Sequence, residues 1–364
     1  MNASVIPIYS ALLRRSLGQW RGAGRNRDAP VHLLLCICDH WEPGHGNVAV
    51  AQADARVDAW CCQYPNNLGR FRDADGRPPR HSFFYPIEMY RPSEVERIAE
   101  LCRAGFGEVE VHLHHDNDTA ENLRKTLIDW KQLLRERYGL LSTDKQSGEV
   151  RYGFIHGNWS LDNSRPDGRW CGVNNELDVL RETGCYADFT MPAYPSDCQT
   201  RKINSIYYAV DDPQKPKSHN AGIDVGAAPR PANSLMLIQG PLSLNWSSRK
   251  FGLIPRVENA NLQGNQPPTG RRLDLWLKAR VQVPTRPDWL FVKLHTHGAP
   301  EGNQAVLLGK PMVQFHQLLA DRAMADKNFH FHYVTAREMY NLARAAEVGW
   351  KGPVNDARDF DLVR

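Results

Sequence analysis

Short apolar runs alternate with amphipathic stretches along most of the chain after position 30. The first apolar run covers residues 31–38, and an amphipathic stretch near residues 51–62 follows it. Runs of this length favour buried strands, and the amphipathic stretches between them favour helices that connect one strand to the next. The alternation therefore predicts repeated βα units around a parallel sheet.

Eight further apolar runs have the length and bounding residues of strands. They cover residues 82–85, 108–114, 152–155, 187–191, 205–210, 234–239, 289–295 and 329–334. Capping boxes, in which a short polar residue precedes a glutamate by three positions, predict helix starts at Ser93, Asp118 and Thr335. These signals place the helices between the strands, as a βα alternation requires.

Two later segments, 211–232 and 257–270, are rich in proline, glycine and asparagine, which predicts long loops or lids. No internal repeat or linker divides the chain. We therefore expect an N-terminal extension over residues 1–30, one barrel-like domain over 31–345 with loop insertions, and a C-terminal tail over 346–364.

The composition excludes several classes of function. The 364 residues are 41% hydrophobic and 24% charged, and the net charge of +4 arises from 45 basic and 41 acidic residues without a basic run, so nucleic-acid binding is not predicted. No run of about 18 apolar residues exists to span a bilayer. Because residues 1–20 lack the apolar core of a secretory leader, we expect a cytoplasmic protein.

The eight cysteines form no CxxC pair, which favours reduced thiols. The sequence carries no indication of oligomeric state.

The first candidate site residues are Asp39, His40 and Glu42, in the segment CICDHWEP. They follow directly on an apolar strand, and in parallel α/β folds the carboxyl end of a strand is where ligands bind. The alternative is a turn in which Asp39 caps the following loop.

The second candidate group lies in the segment EVEVHLHHDND. Glu110, His112 and His114 alternate onto one face of the predicted strand, and His115 and Asp116 stand where it ends. Imidazole and carboxylate groups in such a short stretch suit Zn²⁺ or a similar divalent ion. A chance cluster of surface histidines is the alternative.

Two further strands also end in histidines. His295 and His297, in FVKLHTHGA, are candidate ligands or a general acid, with structural strand-end histidines as the alternative. His156, Asn158 and Trp159, in the segment HGNW, carry groups that can bind sugar hydroxyls, or they form a loop held by its own hydrogen bonds. Three histidines fall in the last helix and strand patterns without nearby carboxylates and are predicted to be structural: His316, His330 and His332.

The order of these motifs resembles that of the polysaccharide deacetylase family, also called the NodB-homology fold, whose members are distorted (β/α)7 barrels. The family opens with a strand ending in two acids, a catalytic base and a metal ligand. The segment CICDHW resembles that strand, which implies Asp39 as the base and His40 as a ligand, with the reverse assignment also open. The segment HSFFY, residues 81–85, resembles the family's second strand.

The family's HxxxH metal motif resembles the segment that begins at His112 and ends at Asp116. The resemblance implies a metal triad of His40, His112 and Asp116, with His114 as the substitute ligand. It also implies that His295, in a leucine–histidine pair like the family's, is the general acid. The family's arginine–proline motif has no counterpart here, and HGNW stands near its place. We assign substrate binding to four residues: His156, Asn158, Trp159 and His297.

The implied activity is hydrolysis of an amide, most simply an N-acetyl group on a sugar. The resemblance implies one divalent metal ion as cofactor, zinc first, with cobalt, nickel or iron as alternatives. A nucleotide-sugar or lipid-linked sugar precursor is the substrate expected in the cytoplasm. Two alternatives stay open. One is a metal hydrolase of the amidohydrolase class, whose HxH spacing occurs in HLH and HTH. The other is a non-catalytic glycan-binding barrel that stacks sugars on Trp41, Trp159 and Trp246.

Overall fold

The structure is a computed structural model and describes residues 5–21 and 29–364. The helices are α1 Val5–Arg21, α2 Val50–Leu68, α3 Pro92–Leu101, α4 Ala120–Tyr138, α5 Glu176–Thr183, α6 Gly270–Ala279, α7 Glu301–Leu307, α8 Lys310–Ala325, α9 Ala336–Glu347 and α10 Val354–Ala357. The strands are β1 Val31–His40, β2 His81–Pro86, β3 Gly107–Leu113, β4 Ser142–Asp144, β5 Val150–His156, β6 Cys185–Asp188, β7 Ile206–Val210, β8 Ile223–Asp224, β9 Ser234–Ile238, β10 Ser243–Lys250, β11 Ile254–Glu258, β12 Asn261–Leu262, β13 Trp289–Thr296, β14 Phe329–Tyr333 and β15 Leu362–Val363.

Seven parallel strands form the centre of the large sheet, in the order β13-β1-β2-β3-β5-β6-β9. The strand β14 pairs with the first half of β1, and β7 continues the sheet beyond β9 in the antiparallel direction. The predicted α/β class with a large parallel sheet is confirmed. All nine predicted strands overlap an observed strand. Strands that are buried on both faces have nearly continuous apolar sequences, which makes them recognisable.

Of the three predicted capping boxes, the one at Thr335 is confirmed. Its hydroxyl accepts a hydrogen bond from the backbone N–H of Glu338, and the Glu338 carboxylate accepts one from the backbone N–H of Thr335. The box at Ser93 is wrong because α3 begins one residue earlier, at Pro92. Proline suits the first helical position, where its missing N–H costs nothing.

The box predicted at Asp118 is also wrong. The residue that caps α4 is Thr119, whose hydroxyl accepts a hydrogen bond of 3.2 Å from the backbone N–H of Asn122. The Asp118 carboxylate is engaged instead by the ring of His115, at 3.0 Å, and by the side chain of Asn122. A side chain used by a neighbouring loop is thus not available as a helix cap.

The two faces of β1 pack into different apolar clusters. Leu35 and Ile37 pack in the cluster that contains Trp60 of α2, whereas Cys36 and Cys38 pack in a second cluster. Side chains alternate between the faces of a strand, so consecutive residues at its end point in opposite directions. This alternation decides which of the polar residues after Cys38 can share a site.

The segment predicted as a C-terminal tail is part of the fold. Val354, Ala357 and Leu362 are buried, and β15 pairs with β4 in the antiparallel direction. The predicted extension over residues 1–30 contains α1, whose Ile8 and Leu12 pack in an apolar cluster with residues of the loops before β7 and β10. Residues 1–4 and 22–28 of that extension lie outside the described part of the chain.

All eight cysteines are free thiols, and six of them are buried. The prediction of reduced cysteines is therefore confirmed. In the ranges that the structure describes, no helix combines the length and the apolar character needed to cross a membrane.

Candidate functional site

The carboxyl ends of β13, β1 and β3, three strands of one parallel sheet, bring histidines of three different motifs together. His40 ends β1, His112 is the penultimate residue of β3, and His297 follows β13 directly. The ring centroid of His40 lies 4.8 Å from that of His112 and 4.6 Å from that of His297. Motifs that lie far apart in the chain thus converge at one edge of the sheet.

A buried trio of His40, Glu42 and His112 forms the inner part of this site. Their relative exposures are 2%, 3% and 0%, and each offers a ligand atom within 4.8 Å of the other two. Two imidazoles and one carboxylate are a ligand set that zinc enzymes use, with the remaining position open to substrate or water.

Both ring nitrogens of His112 face hydrogen-bond acceptors. Its Nδ1 lies 2.8 Å from the backbone carbonyl of Ile155, which can only accept, so this nitrogen carries a proton. The other nitrogen, Nε2, lies 3.2 Å from Oε1 of Glu42. In a neutral ring, two lone pairs would face each other in the buried site. The pair requires either a second proton on His112 or a cation between the two atoms.

Further histidines surround the Glu42 carboxylate on its outer side. Oε2 of Glu42 lies 2.8 Å from Nδ1 of His45, and Oε1 lies 3.7 Å from Nε2 of His114 and 3.9 Å from Nε2 of His297. Burial on its own raises the pKa of Glu42, but the hydrogen bonds with His112 and His45 outweigh it and hold the pKa well below its ordinary value. Glu42 is therefore an ionised carboxylate at the centre of the site.

The histidines around it differ in their electrostatic surroundings. Burial, followed by the neighbouring rings of His297 and His112, lowers the pKa of His40. Burial also lowers the pKa of His297. Burial opposes protonation of His114 as well, but its hydrogen bond to Glu88, at 2.5 Å, contributes to raising its pKa. The site thus contains histidines whose pKa is lowered beside one whose pKa is raised.

Asp39, the predicted catalytic base, lies on the other face of β1. Its side chain is fully buried, with Oδ2 2.9 Å from Nε2 of His81 and Oδ1 accepting a hydrogen bond of 2.6 Å from the backbone N–H of Gly298. Strand alternation explains this placement, because His40 occupies the site face. The structure places Asp39 where it holds the loop that carries His297.

His295, the predicted general acid, is buried next to the trio. Its Nδ1 has no hydrogen-bond partner among the described residues. Burial, followed by the charge of Lys293 and the ring of His297, lowers its pKa well below the ordinary value. The ammonium of Lys293 is itself buried and donates to the backbone carbonyls of Phe189 and Met191.

The structure does not place Asp116, the third predicted metal ligand, with His40 and His112. Asp116 is exposed, and its Oδ1 accepts a hydrogen bond of 2.7 Å from the backbone N–H of Trp170. It lies beyond the end of β3, in the turn before α4, so the chain has already left the site. Glu42 occupies the place that the prediction gave to Asp116.

The predicted substrate-binding residues divide between two locations. Trp159 lies at the site, with its ring centroid 5.9 Å from that of His40 and 6.0 Å from that of His297. Asn158 precedes it and is partly exposed. His156 is fully buried, with Nε2 3.5 Å from Oε1 of Glu176, in a separate polar cluster that a substrate cannot reach.

Two expectations from the sequence need correction. Trp41 is fully buried, so it cannot stack on a glycan, whereas half of the Trp246 surface is exposed. His332 does have a carboxylate beside it, because its Nδ1 lies 2.9 Å from Oδ2 of Asp75. The guanidinium of Arg358 bonds the same carboxylate at 2.7 Å, so this group is an ion-pair network of the core.

Sequence reasoning noted Glu42 but gave it no role, and it missed Cys171 and Glu176 altogether. A signal for Glu42 was present, since an acid two residues after a strand-end histidine returns to the same side of the chain. A weaker signal marked Cys171, which stands in the polar loop segment RWCGVNN and not in an apolar run.

Comparisons with known proteins give distant likenesses. No protein-family model and no curated protein matches the chain. A solved 4-alpha-glucanotransferase from Thermococcus litoralis is 12% identical over 85% of this chain and 40% of its own, with a TM-score of 0.41. An alpha-mannosidase from Enterococcus faecalis V583 is 10% identical over 86% of this chain and 29% of its own, with a TM-score of 0.44. The chain spans less than half the length of either protein.

Proposed function

We propose that this protein is a metal-dependent hydrolase of carbon–nitrogen bonds in amides, with one divalent ion held by His40, Glu42 and His112. The observation that carries the proposal is the buried contact of 3.2 Å between Nε2 of His112 and Oε1 of Glu42, which needs a proton or a cation between the two atoms. Three protein ligands of this kind leave a coordination position for water or substrate, which is the arrangement of a catalytic zinc site. Cobalt, nickel and iron suit the same ligands.

A divalent ion in this site would supply Lewis acidity to an amide carbonyl and would lower the pKa of a water molecule. Residues around the trio would move protons and position the groups that do so. The side chain of His297 is 27% exposed, which puts an imidazole between the trio and solvent, in a position to move a proton. Asp39 fixes the backbone of Gly298 beside it. His295, next to His297 in the sequence, remains the predicted general acid.

The proposed substrate is an N-acetylated sugar, and the reaction is its deacetylation. Support comes from the order of the sequence motifs, which resembles that of polysaccharide deacetylases, and from Trp159, whose partly exposed indole beside His40 can stack on a sugar ring. A nucleotide-sugar or lipid-linked precursor of a polysaccharide in the cytoplasm is the proposed physiological form.

The proposed architecture is a distorted (β/α)7 barrel. Its support is the side chain of Lys293, which reaches from β13 to the carbonyls of Phe189 and Met191, just after β6. A Cβ atom at Gly240, just after β9, would lie 2.5 Å from the carbonyl oxygen of Lys293. Contacts of this kind join the two ends of the seven-strand sheet.

The test compares Glu42→Gln with the wild type, using Glu121→Gln, an exposed position on α4, as the matched control. Bound metal is measured by elemental analysis on untagged protein, and acetate release is measured on N-acetylglucosamine oligomers and on UDP-N-acetylglucosamine. We expect Glu42→Gln to lose the bound ion, and we expect its activity to fall by more than about 100-fold. That loss exceeds the effect of changing a residue that only contacts a metal ligand. Wild-type metal content and turnover in Glu42→Gln would refute the site, and a metal-loaded wild type that releases no acetate would refute the substrate.

A further inference from the structure

A second cluster of potential metal ligands lies beside the first and belongs to none of the roles above. It consists of His115, His156, Cys171 and Glu176, whose donor atoms all lie within 4.8 Å of one another. The side chain of His115 is 7% exposed, and the other three are fully buried. Four separate segments supply one donor each: the turn after β3, the end of β5, a loop and the first residue of α5.

His156 presents a nitrogen lone pair to a carboxylate inside this cluster. Its Nδ1 lies 2.5 Å from the backbone carbonyl of Gly157, so that nitrogen carries the proton. The other nitrogen, Nε2, is buried without a hydrogen-bond partner among the described residues and points to Oε1 of Glu176 at 3.5 Å. Two acceptors facing each other in the core are unfavourable unless a cation lies between them.

His115 contacts Glu176 from another direction, with a carboxylate at each of its ring nitrogens. Its Nδ1 lies 3.0 Å from Oδ2 of Asp118, and its Nε2 lies 3.2 Å from the same Oε1 of Glu176. A metal-binding histidine commonly has a carboxylate or a backbone carbonyl on its other nitrogen, which fixes the ring and its tautomer. Asp118 and the Gly157 carbonyl occupy those positions here.

Two backbone N–H groups and one carboxylate contact the sulfur of Cys171. The backbone N–H groups of Asn163 and Val173 point to Sγ, at 3.3 and 3.4 Å, and hydrogen bonds of this kind favour negative charge on the sulfur. Oε2 of Glu176 lies 3.3 Å from the same sulfur. The thiol donates to this carboxylate, and a divalent ion would take the place of that proton, since metal binding requires the thiolate.

The loop is shaped to bring Cys171 to this position. The backbone N–H of Asp118 donates to the carbonyl of Cys171 at 2.9 Å. The next residue, Gly172, has φ +99°, and a Cβ there would lie 2.7 Å from the backbone nitrogen of Asp118. Only glycine allows this close approach, so the sequence Cys–Gly seats the thiol against the turn that carries His115.

We propose that His115, His156, Cys171 and Glu176 bind one structural zinc ion. Two nitrogens, one sulfur and one oxygen form a complete tetrahedral ligand set, and burial leaves no open position for a substrate. The ion would tie the loop between β5 and α5 to the turn after β3. That loop carries Trp159, so the proposed zinc fixes one wall of the candidate active site.

Cobalt substitution tests this site separately from the first, because only the second contains sulfur. We expect Co²⁺-loaded wild type to show a near-ultraviolet band from thiolate-to-cobalt charge transfer. The band should vanish in Cys171→Ser, and it should persist in Cys198→Ser, a matched change at a buried free cysteine, and in Glu42→Gln. A Co²⁺-loaded wild type without the band, or Cys171→Ser with it, would overturn the proposal.

A second measurement covers the case in which Cys171→Ser does not fold. A strong chelator is added to the wild type, and limited proteolysis of residues 157–175 is followed before and after Zn²⁺ is restored. We expect cleavage in this loop to accelerate on chelation and to slow again with Zn²⁺, with Glu42→Gln behaving in the same way. Cleavage that is independent of zinc in both proteins would refute a structural ion here.

Discussion

The backbone N–H of Gly298 donates a hydrogen bond of 2.6 Å to Oδ1 of Asp39. The same carboxylate lies 2.9 Å from Nε2 of His81, so both of its oxygens are engaged inside the protein. Through Gly298, Asp39 controls where the chain places His297 at the rim of the site. A residue held in this way acts by positioning others.

The substitution Asp39→Asn separates positioning from base catalysis. Asparagine has the shape of aspartate but only one acceptor oxygen, so it can accept a hydrogen bond at only one of the two contacts. We therefore expect the free energy of unfolding to fall by about 1–3 kcal/mol. We expect kcat to fall about 10- to 100-fold through displacement of His297, with metal content unchanged. Urea denaturation, kcat and elemental analysis measure the three effects. Unchanged stability with nearly complete loss of turnover would restore Asp39 to the role of base.

Gly298 itself cannot carry a side chain in this structure. A Cβ at this position would lie 2.0 Å from Oδ2 of Asp39 and 2.8 Å from the Trp60 ring. We expect Gly298→Ala to destabilise the fold by at least about 1–3 kcal/mol, as overpacked cores do, and to impair the site. Thermal denaturation is the measurement.

The matched control is Gly302→Ala, four residues further along and inside α7. A Cβ at Gly302 meets nothing within 4 Å, and alanine is the better helix former by about 1 kcal/mol. We expect this variant to be as stable as the wild type or more stable. Equal losses in the two variants would show that the contact with Asp39 is not the cause.

The strands could be read from the sequence because a strand buried on both faces is a continuous apolar run. The run over residues 31–38 shows this, since hydropathy predicted the first residue of β1 and all of the strand except its last two residues, Asp39 and His40. The position of His40 and His112 at one edge of the sheet followed, because the carboxyl ends of parallel strands meet at the same edge, even with β2 between β1 and β3.

The ligand roles could not be read in the same way. Whether Glu42 or Asp116 joins His40 depends on which side chain the rest of the protein engages. Asp116 is engaged by the backbone of Trp170, 54 residues away, and nothing in the local sequence indicates that contact. The placement of Asp39 has a different cause, since side chains alternate between the faces of β1 and that of Asp39 lies on the face opposite His40.

The last part of the chain stabilises the fold through Arg358. Its side chain is 1% exposed, with Nη1 3.0 Å from Oε2 of Glu338 and Nη2 2.7 Å from Oδ2 of Asp75. Replacing it with methionine removes the cation that both carboxylates share and leaves Glu338 with Arg80 and Asp75 with His332. We expect Arg358→Met to lower the free energy of unfolding by about 3–5 kcal/mol. Lys351→Met, at an exposed position nearby, is the control and should change stability by less than about 0.5 kcal/mol in urea denaturation.

His316 gives the stability a specific pH dependence. Its ring is fully buried against Phe71, its Nδ1 lies 2.8 Å from the hydroxyl of Tyr333, and burial lowers its pKa from 6.5 to about 3. Below pH 6.5 the unfolded chain binds a proton at this histidine and the folded chain does not. Stability is therefore lost as the pH falls from about 6.5 towards 3, by about 1.4 kcal/mol per pH unit at this one group.

Phenylalanine fills a similar volume and cannot titrate, so His316→Phe should remove this part of the dependence. The variant loses the hydrogen bond to Tyr333, and we expect it to be less stable than the wild type at pH 7.5. Between pH 6.5 and 4 the wild type should lose stability faster, so the two curves should approach each other. Urea denaturation at half-unit steps of pH measures both slopes. Parallel curves over this range would mean that His316 is protonated in the folded protein as readily as in the unfolded chain, against the burial seen here.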